Sequence, residues 1–242
     1  MYPVQIMRTI FIRIAAGILV ASACTTCAGQ ADVSTEAGWI WLFDGSDLDA
    51  WREFNKSTVL SPAWVIEGNE LALRPERKTS RKSVSLVSKK QYADFELELD
   101  WKLTPGGNSG IFFHVVEHPE LIRPSQSGIE MQILDDHRHK DGKDPTRRAG
   151  SVYALYAPTR AMTKPVGEWN SVRIRTVGGQ VEYWLNGVQV AAFDRDSDDW
   201  GERVVASKFT RFKFFDTQRY GYLALQDHAD TVFFRNIRIR EL

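Results

Sequence analysis

Val172-Arg173-Ile174-Arg175 leads to Gly178-Gly179, then to Val181-Glu182-Tyr183-Trp184-Leu185, Asn186-Gly187 and a further apolar run from Val188 to Phe193. Gly-Gly and Asn-Gly supply the positive φ angles of tight hairpin turns with little steric cost. The stretch therefore predicts two β-hairpins in succession. Upstream, Phe95-Glu96-Leu97-Glu98-Leu99-Asp100-Trp101-Lys102-Leu103 is apolar at every odd position. That alternation is the mark of a half-buried strand. The chain closes on a similar pattern from Val232 to Arg240. No long segment has the 3.6-residue apolar period of a helix, and no internal repeat or second domain boundary interrupts the pattern. Roughly a dozen short strands separated by turn signals imply an all-β sandwich.

The 242 residues carry 31 Lys plus Arg and 31 Asp plus Glu, so no net charge steers the chain toward nucleic acid or an anionic membrane. Arg8 and Arg13 precede the short apolar run Ile14 to Val20, and small residues follow. This is the order of a secretory signal, too short to span a bilayer. It predicts an export segment over 1–31, cut after Ala23, Ala28 or Ala31, and a single domain over 38–242 in the periplasm or cell envelope. Cleavage after Ala23 would make Cys24 a lipidation site and anchor the chain. Both cysteines, Cys24 and Cys27, precede the domain, which is therefore expected to contain no disulfide. No later apolar run is long enough for a transmembrane helix.

Candidate functional residues cluster at two strand ends. Gly128-Ile129-Glu130-Met131-Gln132-Ile133-Leu134-Asp135-Asp136 and Gly221-Tyr222-Leu223-Ala224-Leu225-Gln226-Asp227-His228 both start at a glycine, run through apolar residues and finish in polar groups. Side chains alternate along a strand, so Glu130 shares a face with Gln132, and Gln226 with His228. Asp135 and Asp227 fall on the opposite faces unless the strands end or bulge. Asn108-Ser109 opens another strand after the Pro105-Gly106-Gly107 turn, and His114 is placed on the face of Phe112. Polar stretches from Pro119 to Ser127 and from His137 to Arg148 flank the Glu130 strand as loops; Asp194 to Thr217 reads as a further loop over the same side. The chain contains no Gly-x-Ser-x-Gly, phosphate-loop or His-Glu-x-x-His pattern. No cofactor is required by the sequence. His137-Arg138-His139 beside Asp135 and Asp136 reads as a solvated charged loop rather than a metal site, and no spacing demands a calcium ion.

Nine short stretches, in order, resemble the family once catalogued as domain of unknown function 1080 and now described as 3-keto-disaccharide hydrolases. They begin at Trp41-Leu42-Phe43-Asp44-Gly45 and include Gly107-Asn108-Ser109-Gly110-Ile111, the Glu130 strand, Ala149-Gly150-Ser151-Val152-Tyr153, Trp184-Leu185-Asn186-Gly187 and Leu225-Gln226-Asp227-His228. The chain departs from the family at His114, where an arginine is common, and at Ala229, where a glycine usually follows. The resemblance implies a concanavalin A-like jelly roll with a concave binding sheet and a carbohydrate substrate. It further implies cleavage of 3-keto-glycosides by proton abstraction next to the ketone, elimination and hydration, with a sugar 3-dehydrogenase as functional partner. Glu130 and His228 would then share the base and acid roles, with Gln132, Gln226, Asn108, Asp135 and Tyr153 binding substrate. The glucanase pattern Glu-x-Asp-x-x-Glu is broken by Gln132, which disfavours two-carboxylate hydrolysis. The alternative is a carbohydrate-binding module of the same fold without activity.

Overall fold

The computed structural model describes Met1, residues 38–56 and residues 60–242. The expected export segment, with Cys24, falls outside these apart from its first residue. The described residues from Gly38 onward belong to one compact unit. Within it, thirteen strands form two antiparallel sheets: β1 (Trp39–Phe43), β2 (Trp51–Glu53), β3 (Trp64–Glu67), β4 (Glu70–Leu73), β5 (Leu86–Tyr92), β6 (Phe95–Leu103), β7 (Asn108–Val115), β8 (Ile129–Leu134), β9 (Asn170–Val177), β10 (Gln180–Leu185), β11 (Val188–Asp194), β12 (Gly221–Leu225) and β13 (Val232–Glu241). The eight-stranded sheet runs β11-β10-β9-β6-β13-β4-β3, with β1 also on β13, and the five-stranded sheet runs β2-β5-β12-β7-β8. The chain is an all-β jelly-roll sandwich.

The two hairpins form where the glycines place them. Val177 pairs with Gln180 across Gly178-Gly179, and Leu185 pairs with Val188 across Asn186-Gly187, with all four turn residues at positive φ. On β6 the odd residues are buried. The even residues meet arginines of β13: Glu96 with Arg240, Glu98 with Arg238 and Asp100 with Arg235. Apolar residues of both sheets fill the space between them, among them Phe95, Ile111, Phe113, Ile129, Tyr183, Leu223 and Phe234.

Two expectations need correction. His114 does not share a face with Phe112. Between Phe112 and Val115 the strand β7 carries one residue more than its partner β12, whose Ala224 and Tyr222 face them. His114 takes φ 51 in this bulge, so its ring turns inward against Phe95 and Phe113, at 5.9 and 5.1 Å between centroids. The loop expected over Asp194 to Thr217 contains a helix, α1 (Asp198–Ala206). Ser197 caps it by accepting from Trp200 N, and Asp198 and Asp199 sit in the first turn, where the helix dipole favours them. Trp200 is its buried residue and stacks on Phe193 and Tyr156 at 5.0 and 6.1 Å. Among the described residues no helix is long and apolar enough to cross a membrane.

Candidate active site

The outer face of the five-stranded sheet carries the polar cluster. β8 and β12 are not neighbours, because β7 runs between them. On β7, Gly110 is opposite Gln132 and Phe112 is opposite Glu130. Gln226 follows β12 and donates its N–H to Gly110 O at 3.0 Å. The pairing brings Asn108, Glu130, Gln132, Gln226 and His228 around a cavity of about 160 Å3, closed on one side by Tyr153 and Lys208. Five of the six sequence candidates on these strands and loops, and Tyr153 besides, thus meet in one place; Asp135 does not.

Glu130 occupies the floor. Its carboxyl lies over the backbone of Gly110, where a β-carbon would overlap Oε1 and stand 3.0 Å from Cδ. A glycine at that position is what leaves room for the acid. Gln132 places its amide by its surroundings: with nitrogen turned toward them, it donates to Glu130 Oε1 and Ser109 O at 3.1 Å each. Burial pushes the Glu130 carboxyl up to about 8, the positive charge of Lys208 works against the rise, and Asp141 adds to it. A carboxyl so tuned exchanges protons near neutral pH.

Lys208 was not legible as a site residue. It follows α1 on a short 3-10 turn over Lys208–Arg211, capped by Ser207, whose Oγ accepts from Phe209 N at 3.0 Å. Phe209 is buried and stacks on Phe215 at 4.0 Å, which fixes the turn. The Lys208 Nζ then stands 4.1 Å from the centre of the Tyr153 ring. Burial pulls the Lys208 ammonium below its ordinary range, Glu130 opposes the shift, and Arg147, Arg123 and Arg211 reinforce it. Tyr153 donates its hydroxyl to Asp141 Oδ2 at 3.0 Å. Burial first, then Asp141 and Glu130, hold its phenol protonated well beyond its usual range.

A second anchor holds the whole excursion. Arg195, at the end of β11, is buried and donates to His114 Nδ1 at 2.6 Å, to Gln218 O at 2.8 Å and to Asp216. Asp216 also accepts from Trp200 Nε1 at 2.7 Å. His114 Nε2 faces the Ala93 carbonyl at 2.8 Å, so that nitrogen carries the proton and Nδ1 accepts. Burial, then Arg195, lower the His114 imidazole to about 4. It is a neutral packing residue, away from the cavity.

The aspartates beside the strand ends are structural. β8 ends at Leu134, and Asp135 turns to accept from the N–H groups of Gly106, His137 and Arg138 at 2.8, 3.1 and 3.3 Å. Burial works to raise its carboxyl, yet these donors keep it below the ordinary range. It faces a different cavity, beside Trp101 and Lys164. Asp227 lines the site but is fully engaged by Lys78 Nζ at 2.6 Å, Val84 N at 2.9 Å and Ala229 N at 2.9 Å. His228 is exposed at the rim, 3.5 Å from Asp230 and 5.9 Å between ring centres from His139. The Oε1 of Gln226 is buried without a hydrogen-bond partner among the described residues. Among the described residues, no group of three or more His, Cys, Asp or Glu side chains is arranged to hold a metal ion.

Residues 38–240 match the family model of the 3-keto-alpha-glucoside-1,2-lyase-like domain. A 3-keto-disaccharide hydrolase of Bacteroides thetaiotaomicron is 31% identical over 229 residues, 85% of this chain and 79% of that protein. Among solved structures, a candidate glycosyl hydrolase of Parabacteroides distasonis is 32% identical with a TM-score of 0.77, covering 85% of this chain and 94% of that one. A second from the same organism is 28% identical with a TM-score of 0.66, covering 84% and 99%. A Bacillus subtilis protein with a galectin-like fold, 12% identical at a TM-score of 0.52 over 81% of this chain and 92% of that one, shares the fold alone.

Proposed function

This chain belongs to the 3-keto-alpha-glucoside-1,2-lyase-like family, and from that premise we propose that it is a carbohydrate-active hydrolase that opens the glycosidic bond of 3-keto-glycosides by elimination and hydration. The observation that carries the reading is Glu130: one buried carboxyl at about 8, beside the Lys208 ammonium and three amides, in a cavity the size of one sugar ring. A ketone at carbon 3 acidifies the proton on carbon 2. Glu130 as carboxylate takes that proton, and charge develops on the carbon-3 oxygen. Lys208, with the amides of Asn108, Gln132 and Gln226, lines the same cavity and stabilises that oxygen as an enolate. The enolate then expels the oxygen at carbon 1, which His228 at the rim protonates. Water adds to carbon 1 of the resulting enone, giving up a proton to His228, while Glu130 returns its proton to carbon 2, so both groups are reset and the sum is hydrolysis.

Two-carboxylate cleavage has little support, because the other carboxylate lining the cavity, Asp227, is held by a lysine and two backbone N–H groups. A pure binding module would present aromatic platforms. Tyr153 is the aromatic residue lining this cavity, and Lys208 already lies against its ring. The substrate's ketone arises by oxidation of a secondary alcohol, so a sugar 3-dehydrogenase acting upstream belongs to the same proposal, as does export to the periplasm or cell envelope. The proposed chemistry uses no metal. Incubating the purified protein with a disaccharide and with its 3-keto form tests the proposal. Free sugar is expected from the keto form alone, and Glu130→Gln should abolish its release. Tight binding of both without turnover would leave only the binding module.

A further inference from the structure

A larger cavity of about 980 Å3 opens from the first and shares with it Ser83, Arg123, Asp227 and His228. Its position fixes its use on the proposed reading: a ring seated over Glu130 sends its leaving group past His228 into this second space. The walls are strongly cationic. Lys56, Lys78, Arg81, Lys82 and Arg123 line it, against the carboxylates Glu117 and Asp227. Both carboxylates are already matched, Glu117 by a two-pronged contact with Arg52 and Asp227 by Lys78. Lys56 is paired with Glu53. That leaves Arg81, Lys82 and Arg123 with no ion pair to a described carboxylate, all on the wall of one cavity. Phe54 and Leu121 supply an apolar floor.

We propose that this cavity is a leaving-group subsite that selects an anionic partner sugar, one bearing a carboxylate or a phosphate, over a neutral one. The inference rests on the proposed reaction only for its orientation. Clefts lined by one sign of charge concentrate ligands of the other sign. Guanidinium groups such as Arg81 and Arg123 match the paired oxygens of carboxylate and phosphate. The neutral overall charge of the protein makes the local excess specific to this wall rather than a property of the whole surface.

The test compares three 3-keto-glucosyl disaccharides of one linkage, ending in glucose, in glucuronate and in glucose 6-phosphate. The expected result is a higher kcat/KM for at least one anionic substrate, carried by KM, shrinking as salt is raised. In the variant Arg81→Gln/Lys82→Gln the preference should fall by about threefold per charge removed. Both residues are exposed, so folding is not at issue. If only one anion is preferred, it identifies the group recognised. Equal kcat/KM for all three, or a preference untouched by the double variant, overturns the inference. Should no keto substrate turn over, the proposed reaction falls instead. Calorimetric binding of the unoxidised glucosyl-glucose and glucosyl-glucuronate then decides the subsite by itself: tighter binding of the acid upholds it, and equal binding removes it.

Discussion

The carboxyl of Glu130 lies on Gly110, one strand away, at the spot that a side chain on residue 110 would fill. Gly110 is opposite Gln132 in the ladder, so two adjacent positions on facing strands are tuned to one acid: one by absence of a side chain, the other by an amide that donates to it. Gly110→Ala should therefore displace Glu130 without unfolding the sheet. The expected outcome is a loss of at least about 100-fold in kcat/KM, as for a misplaced general base. A far-ultraviolet spectrum and melting point near those of the parent, together with that loss, would confirm the placement; unchanged kinetics would contradict it.

The pH dependence assigns the base. With Glu130 at about 8, kcat/KM should climb as pH rises toward 8 and level off above it, since the carboxylate is the working form. Were Glu130 the acid, the same carboxyl would make the rate fall above pH 8. Glu130→Gln should lower the rate by two to four orders of magnitude and remove that limb of the profile.

Lys208→Met takes away the charge that opposes the rise of Glu130. The limb should move to higher pH, and kcat should drop by about 10- to 1000-fold if the lysine stabilises the enolate. A drop in kcat without movement of the limb would separate the two roles.

Stability should respond to pH in opposite senses at two buried groups. The Glu130 carboxyl is raised, so the unfolded chain ionises first and stability falls as pH rises from 4.5 to about 8. Glu130→Gln should therefore stabilise the protein more at pH 8 than at pH 4. The His114 imidazole is lowered to about 4, so the unfolded chain takes up the proton first. Its contribution is present above pH 6.5 and disappears as pH falls toward 4, on the order of 3 kcal/mol. Thermal melts of the parent and of His114→Gln across this range measure the difference: the variant should lose the corresponding part of the acid slope.

Treatment with a chelator, followed by assay on a 3-keto-glycoside, should leave turnover intact. Loss of activity restored by a divalent cation would require a different account of how the carbon-3 oxygen is stabilised.

What could be read from the chain was whatever depends on neighbours in sequence. Gly178-Gly179 and Asn186-Gly187 force their turns locally, and the alternation of β6 states which face is buried. The pairing of Glu130 with Gln132 followed from the same two-residue period. His114 broke the rule because a bulge is set by the partner strand: one extra residue opposite Ala224 and Tyr222 reverses its direction. The helix α1 was hidden because nine residues with one buried side chain, Trp200, give too little periodicity to detect. Lys208 was out of reach for a related reason. It arrives at the site through Arg195, Asp216 and Trp200, contacts that no spacing encodes. Asp135 could join the group only if its strand ended or bulged near Leu134; the strand does end there, but the backbone N–H groups of Gly106, His137 and Arg138 engage its carboxylate.

The residues lining the cavity over Glu130 come from the five-stranded sheet and the connections around it, and the outer face of the eight-stranded sheet, with Trp41, Glu98, Arg173 and Trp184, supplies none of them. The sandwich therefore has a back that can be handled. Since both cysteines precede residue 28, a thiol introduced at exposed Gln189 on β11 would be unique in the domain. Coupled to a bead or a dye through that one atom, every molecule would present its cavity in the same orientation, and a fluorophore there could follow titrations while leaving the substrate's route open.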